Sequence, residues 1–410
     1  MEIFRTENEF GAGEVRSWAS LLDENCRAQA EAISRVPILD GYLALMPDAH
    51  FGFGPPVGSA LKTRAGVMPY AVGVDIGCGM IAVPTELTRD QLRGREPGVL
   101  NNIRELIPSG VGTNHPKPTA LAQAWFAEHG PPPGTKRGSL LENDRGAMAA
   151  QAVSLTEQAK VQFGTLGSGN HFVEVCEDAG GRVWLLLHSG SRGIGNRLAT
   201  AHVKVAQEAL VREGRVVESK EFAYVVEGSD EFDAYIADML WCQEYAFAQR
   251  EAMMAALIES VAREVGRAGD DWCDWSQRIN CHHNYAEEIE SGVWLTRKGA
   301  IDAGEGKPGI IPGSMGGATY IVRGLGNAES YNTSPHGAGR LLGRHDARRK
   351  LDVEAFKAEM AGRTWLEADA AKLIDEAPAA YKPIETVIAD SADLIRPEHV
   401  LTQFVNYKGV

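Results

Sequence analysis

The chain contains no run of about 18 apolar residues, the length a membrane-spanning helix needs. Its opening residues, "MEIFRTENEF", lack the basic start and apolar stretch of a signal peptide, so a cytoplasmic protein is expected. No CxxC pair occurs among the six cysteines, Cys26, Cys78, Cys176, Cys242, Cys273 and Cys281. That argues against a disulfide framework and leaves room for one reactive or ligating thiol. Basic residues are in deficit: 41 Lys+Arg face 55 Asp+Glu, for a net charge of −14. A general nucleic-acid coat is therefore excluded, although a local basic groove is not. The same excess of acid suits a site where metal cations offset clustered carboxylates. There is no P-loop, since "GEGKP" ends in proline, and neither KxDG nor HExxH is present. A lysine-nucleophile nucleotidyltransferase of the usual ligase type is thus unsupported. Internal repeats and low-complexity tracts are also missing.

What is present is an ordinary globular composition, 44% hydrophobic over 410 residues. Residues 21–35 read as an amphipathic helix, and 38–85 as strands broken by glycine turns. Residues 108–118 and 130–137 are Pro/Gly-rich and read as loops. Strands are expected again over 161–195. Residues 229–265 keep helical spacing without Gly or Pro, so one long helix or two abutting helices are expected. Strand character returns over 279–343, followed by helices near 353–362 and 367–376. Metal-capable clusters fall in both halves, and a domain boundary would split them. The expectation is one compact α+β domain over 1–410, with mixed β-sheets around a central dinuclear metal cleft and helices outside.

Five clusters carry chemistry. In "GVDIGCGM", Asp75 and Cys78 flank a glycine turn at the end of what reads as a buried strand. They either share an ion, which a thiolate can bridge to a second one, or are a structural cysteine beside a turn aspartate. In "LGSGNHFVEV", strand alternation puts His171 and Val173 on one face and Asn170, Phe172 and Glu174 on the other. His171 is then a ligand or a satisfied core histidine. In "LLLHSGSRG", His188 ends an apolar strand, and the turn through Arg192 offers amides, hydroxyls and a guanidinium to a phosphate. In "NCHHNYAEE", adjacent histidines cannot point the same way. His283 is assigned as the ligand and His282 a supporting place. In "SPHGAGR", His336 sits between Pro335 and Gly337–Gly339, where glycines let backbone approach a phosphate. Its imidazole is either a nucleophile toward phosphorus or a surface-loop side chain. "RKGAIDAGEGKPGIIPGSMGG" gathers Arg297, Lys298 and Ser314 into a possible anion cradle. Lys408, near the end of the sequence, is a solvated lysine unless something holds it.

Taken in order, "MPDAHFGFG", "GVDIGCGM", "LGSGNHFVE", "HSGSRGIGN", "INCHHNY", "TRKGA", "PGSMG", "HGAGR", "EAPAAYK" and the terminal "KG" resemble the RtcB family of RNA-splicing ligases, most closely its bacterial branch. The resemblance implies joining of RNA ends bearing a 3′-phosphate or 2′,3′-cyclic phosphate to 5′-hydroxyl ends, with GTP and two Mn²⁺. It implies that Cys78 bridges the ions, with Asp75 and His171 completing one and His188 and His283 the other. His336 would attack the α-phosphate of GTP and carry GMP, oriented by Asp48. Asn170, Phe172, Glu174, Ser314, Tyr381 and Lys408 match positions that hold the guanine nucleotide. Gly337, Ala338 and Gly339 belong with them, as does Thr319, which keeps a hydroxyl where the family usually has serine. Arg192, Lys298, Arg340 and Arg344 would face phosphate or RNA, and "RHDARRK" is either a solvated helix face or part of an RNA rim. The competing expectation is a dinuclear phosphoesterase that opens RNA cyclic phosphates without GTP. The RNA acted on, and any activating protein partner, are not legible.

Overall fold

A computed structural model describes residues 1–133 and 147–410. The fold is α+β, built on two main sheets. One has six strands in the order Glu2–Asn8, Gly11–Ser17, Leu39–His50, Val57–Arg64, Val293–Lys298 and Asn284–Glu290. The other has seven, in the order Ile279–His282, Gly79–Thr88, Arg182–Ser189, Phe172–Glu177, Ile395–Lys408, Ala318–Gly324 and Pro308–Pro312. Their pairings are antiparallel, except that Gly11–Ser17 runs parallel to Leu39–His50. A parallel connection needs a crossover, and the helix Glu24–Ile33 supplies it. Asp23 caps that helix by accepting the Asn25 and Cys26 N–H groups.

The central strands of the seven-stranded sheet are buried on both faces, which explains their near-continuous apolar runs. In Arg182–Ser189, Val183, Leu185 and Leu187 pack with Leu257 and Val261 of the long helix. Trp184 and Leu186 point the other way, against Met80, Phe172 and Ile310. That second face also carries His188. Register sets a row across the sheet: Met80 pairs with His188, His188 with Phe172, and Phe172 with Lys408.

Residues 230–265 form a single helix, Asp230–Val265. Ser229 caps its start by accepting the Phe232 N–H, and Gly266 ends it in the left-handed region at φ 67°. It packs against the helices Arg192–Arg212 and Glu96–Leu106. No helix among the described residues is long and apolar enough to cross a membrane.

Several local expectations are corrected. The apolar residues before Asp75 are not a strand but a short helix, Pro69–Val72, and the turn carrying Asp75 and Cys78 precedes the strand Gly79–Thr88. Proline at the first helical position favours that outcome. The span 161–195 holds two strands, yet the helix Arg192–Arg212 opens directly after the second. The span 367–376 is a helix of only four residues, Ala370–Leu373, between two 3₁₀ turns. The expected loop at 130–137 lies in part outside the described residues.

Candidate metal and nucleotide site

Asp75 and Cys78 lie on a tight turn in which the Cys78 N–H donates to the Asp75 carbonyl at 3.1 Å. Gly77 takes φ 71° there, a region that favours glycine. The turn is held from behind by Arg250, fully buried on the long helix. Its guanidinium donates to the Gly77 carbonyl at 2.8 Å, the Ser189 carbonyl at 3.1 Å and Asn280 Oδ1 at 2.8 Å. Burial lowers its pKa to about 10.

Around Cys78 the donors form a chain. Its Sγ lies 3.5 Å from His171 Nε2 and 3.2 Å from His188 Nε2. His171 Nε2 lies 3.0 Å from Asp75 Oδ2, and His188 Nε2 lies 3.3 Å from His283 Nε2. Cys78 therefore lies between two histidines, His171, which also reaches Asp75, and His188, which also reaches His283. Backbone carbonyls fix two of the rings: His171 Nδ1 donates to Leu166 O at 2.9 Å, and His188 Nδ1 to Asn170 O at 3.1 Å. Each then turns its Nε2 lone pair toward the thiol, as a ligand must. His171 does so from just before the strand Phe172–Glu177, so strand alternation does not govern it. His283 is held by its backbone N–H, which donates to the Cys78 carbonyl at 2.8 Å. His282 turns away, with Nδ1 2.8 Å from the Gly77 carbonyl.

Burial raises the Cys78 thiol well above its usual value, and Asp75 adds to this. Burial, with nearby histidines, holds His188 and His283 well below theirs. Burial also works to raise Asp75, but contact with His171 brings it below the usual carboxylate range. Neutral imidazoles, a carboxylate and a thiol that ionises on binding form a suitable donor set for divalent cations. The donor atoms of Cys78, His171 and His188 lie within 4.8 Å of one another. The residues present thus fit a divalent cation.

His336 follows the short strand Thr333–Pro335, and its ring stacks edge-on to His283 with centroids 4.6 Å apart. Its Nδ1 lies 2.7 Å from Asp48 Oδ2, which also accepts the His336 backbone N–H at 3.2 Å. Asp48 is wholly buried. Gly339, at φ 73°, crosses directly over it, and a Cβ there would overlap the Asp48 carbonyl.

These groups open into a cavity of about 370 Å³. Asn170, Phe172, Glu174, Ser314, Thr319, Gly337, Ala338, Gly339, Tyr381 and Lys408 all line it, together with Lys298, Arg340 and Arg344. Lys408 is not solvated: it ends an interior strand, and its ammonium meets Glu376 at 2.6 Å. Glu376 is the residue sequence reasoning passed over. It also accepts the Tyr381 hydroxyl at 2.8 Å, and Arg340 and Arg344 pair with it at 3.3 and 2.5 Å. Burial acts to raise its carboxyl, but Lys408 and Arg344 bring it down to about 2. The pair of acids in "DEAPAAYK" was the available signal. Burial pushes Glu174 up to about 7, and Asn406 Nδ2 donates to it at 2.7 Å.

The four residues expected to meet phosphate or RNA separate. Lys298, lowered to about 7 by burial, donates to the Tyr70 carbonyl at 3.0 Å and to that of Phe53. Arg340 and Arg344 are engaged by Glu376 and, for Arg344, Asp375 at 2.7 Å. Arg192 lies elsewhere, in a second cavity of about 450 Å³ that shares Asp75 with the first and includes His171. In "RHDARRK", which forms the helix Arg344–Lys350, Arg348 reaches Asp375 while Arg349 and Lys350 pair with Asp346 on the surface.

Comparison with known proteins gives one answer. The family model described as tRNA-splicing ligase RtcB matches residues 29–409. The RNA-splicing ligase RtcB of Escherichia coli (strain K12) is 36% identical over 419 residues, covering 100% of this chain and 99% of that protein. The RNA-splicing ligase RtcB of Mycobacterium tuberculosis is 32% identical, over 84% of this chain and 91% of that protein. The tRNA-splicing ligase RtcB of Thermococcus kodakarensis is 29% identical, over 88% and 86%.

Proposed function

This chain belongs to the RtcB family and is an RNA ligase; from that premise we propose that it joins RNA 3′-phosphate or 2′,3′-cyclic phosphate ends to 5′-hydroxyl ends, using GTP and two Mn²⁺. The observation that carries the reading is the His336–Asp48 contact at 2.7 Å. With Nδ1–H donated to a buried carboxylate, Nε2 holds the lone pair, and it does so beside the Cys78 cluster. Nε2 attacks the α-phosphorus of GTP, a nitrogen–phosphorus bond forms, and pyrophosphate leaves. An oxygen of the RNA 3′-phosphate then takes the GMP from the histidine, giving RNA-(3′)pp(5′)G. The 5′-hydroxyl attacks the RNA phosphorus, and GMP departs. A cyclic phosphate is first opened by water.

Asp75, Cys78, His171, His188 and His283 would hold the ions, which would supply charge neutralisation on phosphate oxygens. Phe172, Glu174, Tyr381 and Lys408 would hold guanine, with Asn170, Ser314, Thr319 and Gly337–Gly339 around the nucleotide. Lys298, Arg340 and Arg344 stand where phosphate charge would be met, and Arg192 would serve the RNA from the adjoining cavity. The reaction would take place in the cytoplasm.

Incubation with GTP labelled at the α-phosphate, plus manganese, is expected to leave acid-labile label on the protein and none on His336→Ala. Cyclic-phosphate opening that ignores GTP and survives His336→Ala would replace this reading with a phosphoesterase.

A further inference from the structure

The rim of the cavity carries apolar side chains that the fold leaves in water. On the connection between Leu39–His50 and Val57–Arg64, Phe51 is 61% exposed and Phe53 is 75% exposed. Phe53 lines the cavity with the partly exposed Val74, beside Lys298. A lone exposed phenylalanine on a slack loop needs no explanation. This loop is not slack. Gln29 donates to the carbonyls of Gly52 and Gly54, the latter at 2.6 Å, and accepts the Gly52 N–H at 3.3 Å. The Gly54 N–H donates to Glu221 at 2.6 Å, and the Lys298 ammonium donates to the Phe53 carbonyl. The backbone is thus pinned by three separate elements while both rings forgo the benefit of burial.

An RNA ligase must grip strands of differing sequence at its reacting ends. Here the usual electrostatic means are scarce: the chain carries a net charge of −14, and Arg340 and Arg344 already answer Asp375 and Glu376. Aromatic stacking is sequence-tolerant, because every base has a π-face, and it needs no positive surface. Fixing the loop beforehand also reduces the ordering cost of binding. We propose that Phe53, assisted by Phe51, is a stacking platform for an unpaired base at an RNA end entering the cavity. This rests on the ligase reading of that cavity.

The test uses the full chain without GTP or metal, and fluorescence anisotropy of short single-stranded RNAs. One RNA ends in a 3′-phosphate and the other in a 5′-hydroxyl, each prepared intact and with its terminal base removed. For at least one of the two ends, Phe53→Ala is expected to weaken binding of the intact RNA on the order of tenfold. Phe53→Trp should retain the affinity, and the abasic RNA should bind wild type and Phe53→Ala alike. Equal affinity of wild type and Phe53→Ala for both intact RNAs would overturn the platform. So would a loss of the same size with abasic RNA, which would report a general defect. Ligation by the wild-type protein is measured in parallel. Its absence overturns the ligase reading, whereas the base-dependent difference in binding is read independently.

Discussion

His336 Nδ1 lies 2.7 Å from Asp48 Oδ2, and the two residues are 288 positions apart in the chain. The bond fixes which ring nitrogen carries the proton. Asp48→Asn keeps the side-chain shape but can offer an N–H to Nδ1, moving the ring proton to Nε2 and removing the lone pair. Transfer of label from GTP to the protein is expected to slow by about 10²–10⁴-fold. A rate within threefold of wild type would show that the carboxylate does not set the tautomer.

The proposed sharing of Cys78 by two ions predicts unequal effects on metal content. Cys78→Ala should lose both manganese ions from dialysed protein, whereas His283→Ala should lose one. Elemental analysis of the purified variants decides this. Loss of the same number of ions from both would mean that the sulfur does not bridge.

Glu376 is the shared countercharge of Lys408, Arg340 and Arg344. Its folded-state pKa, about 2, lies below the ordinary glutamate value of 4.5. It therefore contributes stability that is fully present above pH 5 or so and is lost as pH falls toward about 2. Glu376→Gln leaves the buried Lys408 ammonium without its carboxylate and should cost about 3–5 kcal/mol at neutral pH. Its unfolding free energy should fall less steeply than that of wild type on acidification. Denaturant titrations at pH 7 and pH 4 check both statements.

Arg250 touches none of the proposed ligands through its side chain, yet it holds the carbonyls of Gly77 and Ser189 on either side of them. Arg250→Lys keeps the charge but cannot span both carbonyls and Asn280. Manganese affinity is expected to fall about 10–100-fold, read by calorimetric titration. An unchanged affinity would assign the arginine to packing alone.

The clusters that the fold gathers around the cavity were legible because each sits in a short glycine-rich segment whose chemistry is local: Asp75 with Cys78, His188 before its turn, His336 between proline and glycine. What sequence could not give was direction. His171 reaches Cys78 from outside the strand that alternation assigned it to. Glu376 was hidden because its partners lie at 340, 344, 381 and 408, and only the fold gathers them. The long helix Asp230–Val265 was readable from its unbroken spacing. The short helix Pro69–Val72 was not, because four apolar residues have no period. Arg340 and Arg344 carried the same charge signal as a phosphate clamp, and only their contacts show which acids they answer.

The pairing of Lys408 with Phe172 has a temporal meaning. Two walls of one pocket are neighbouring rungs of a ladder whose strands are translated far apart. Long-range pairings of this kind carry a loop-closure cost that slows folding. The wall shared by Phe172 and Lys408 is thus complete only when these two distant strands are paired.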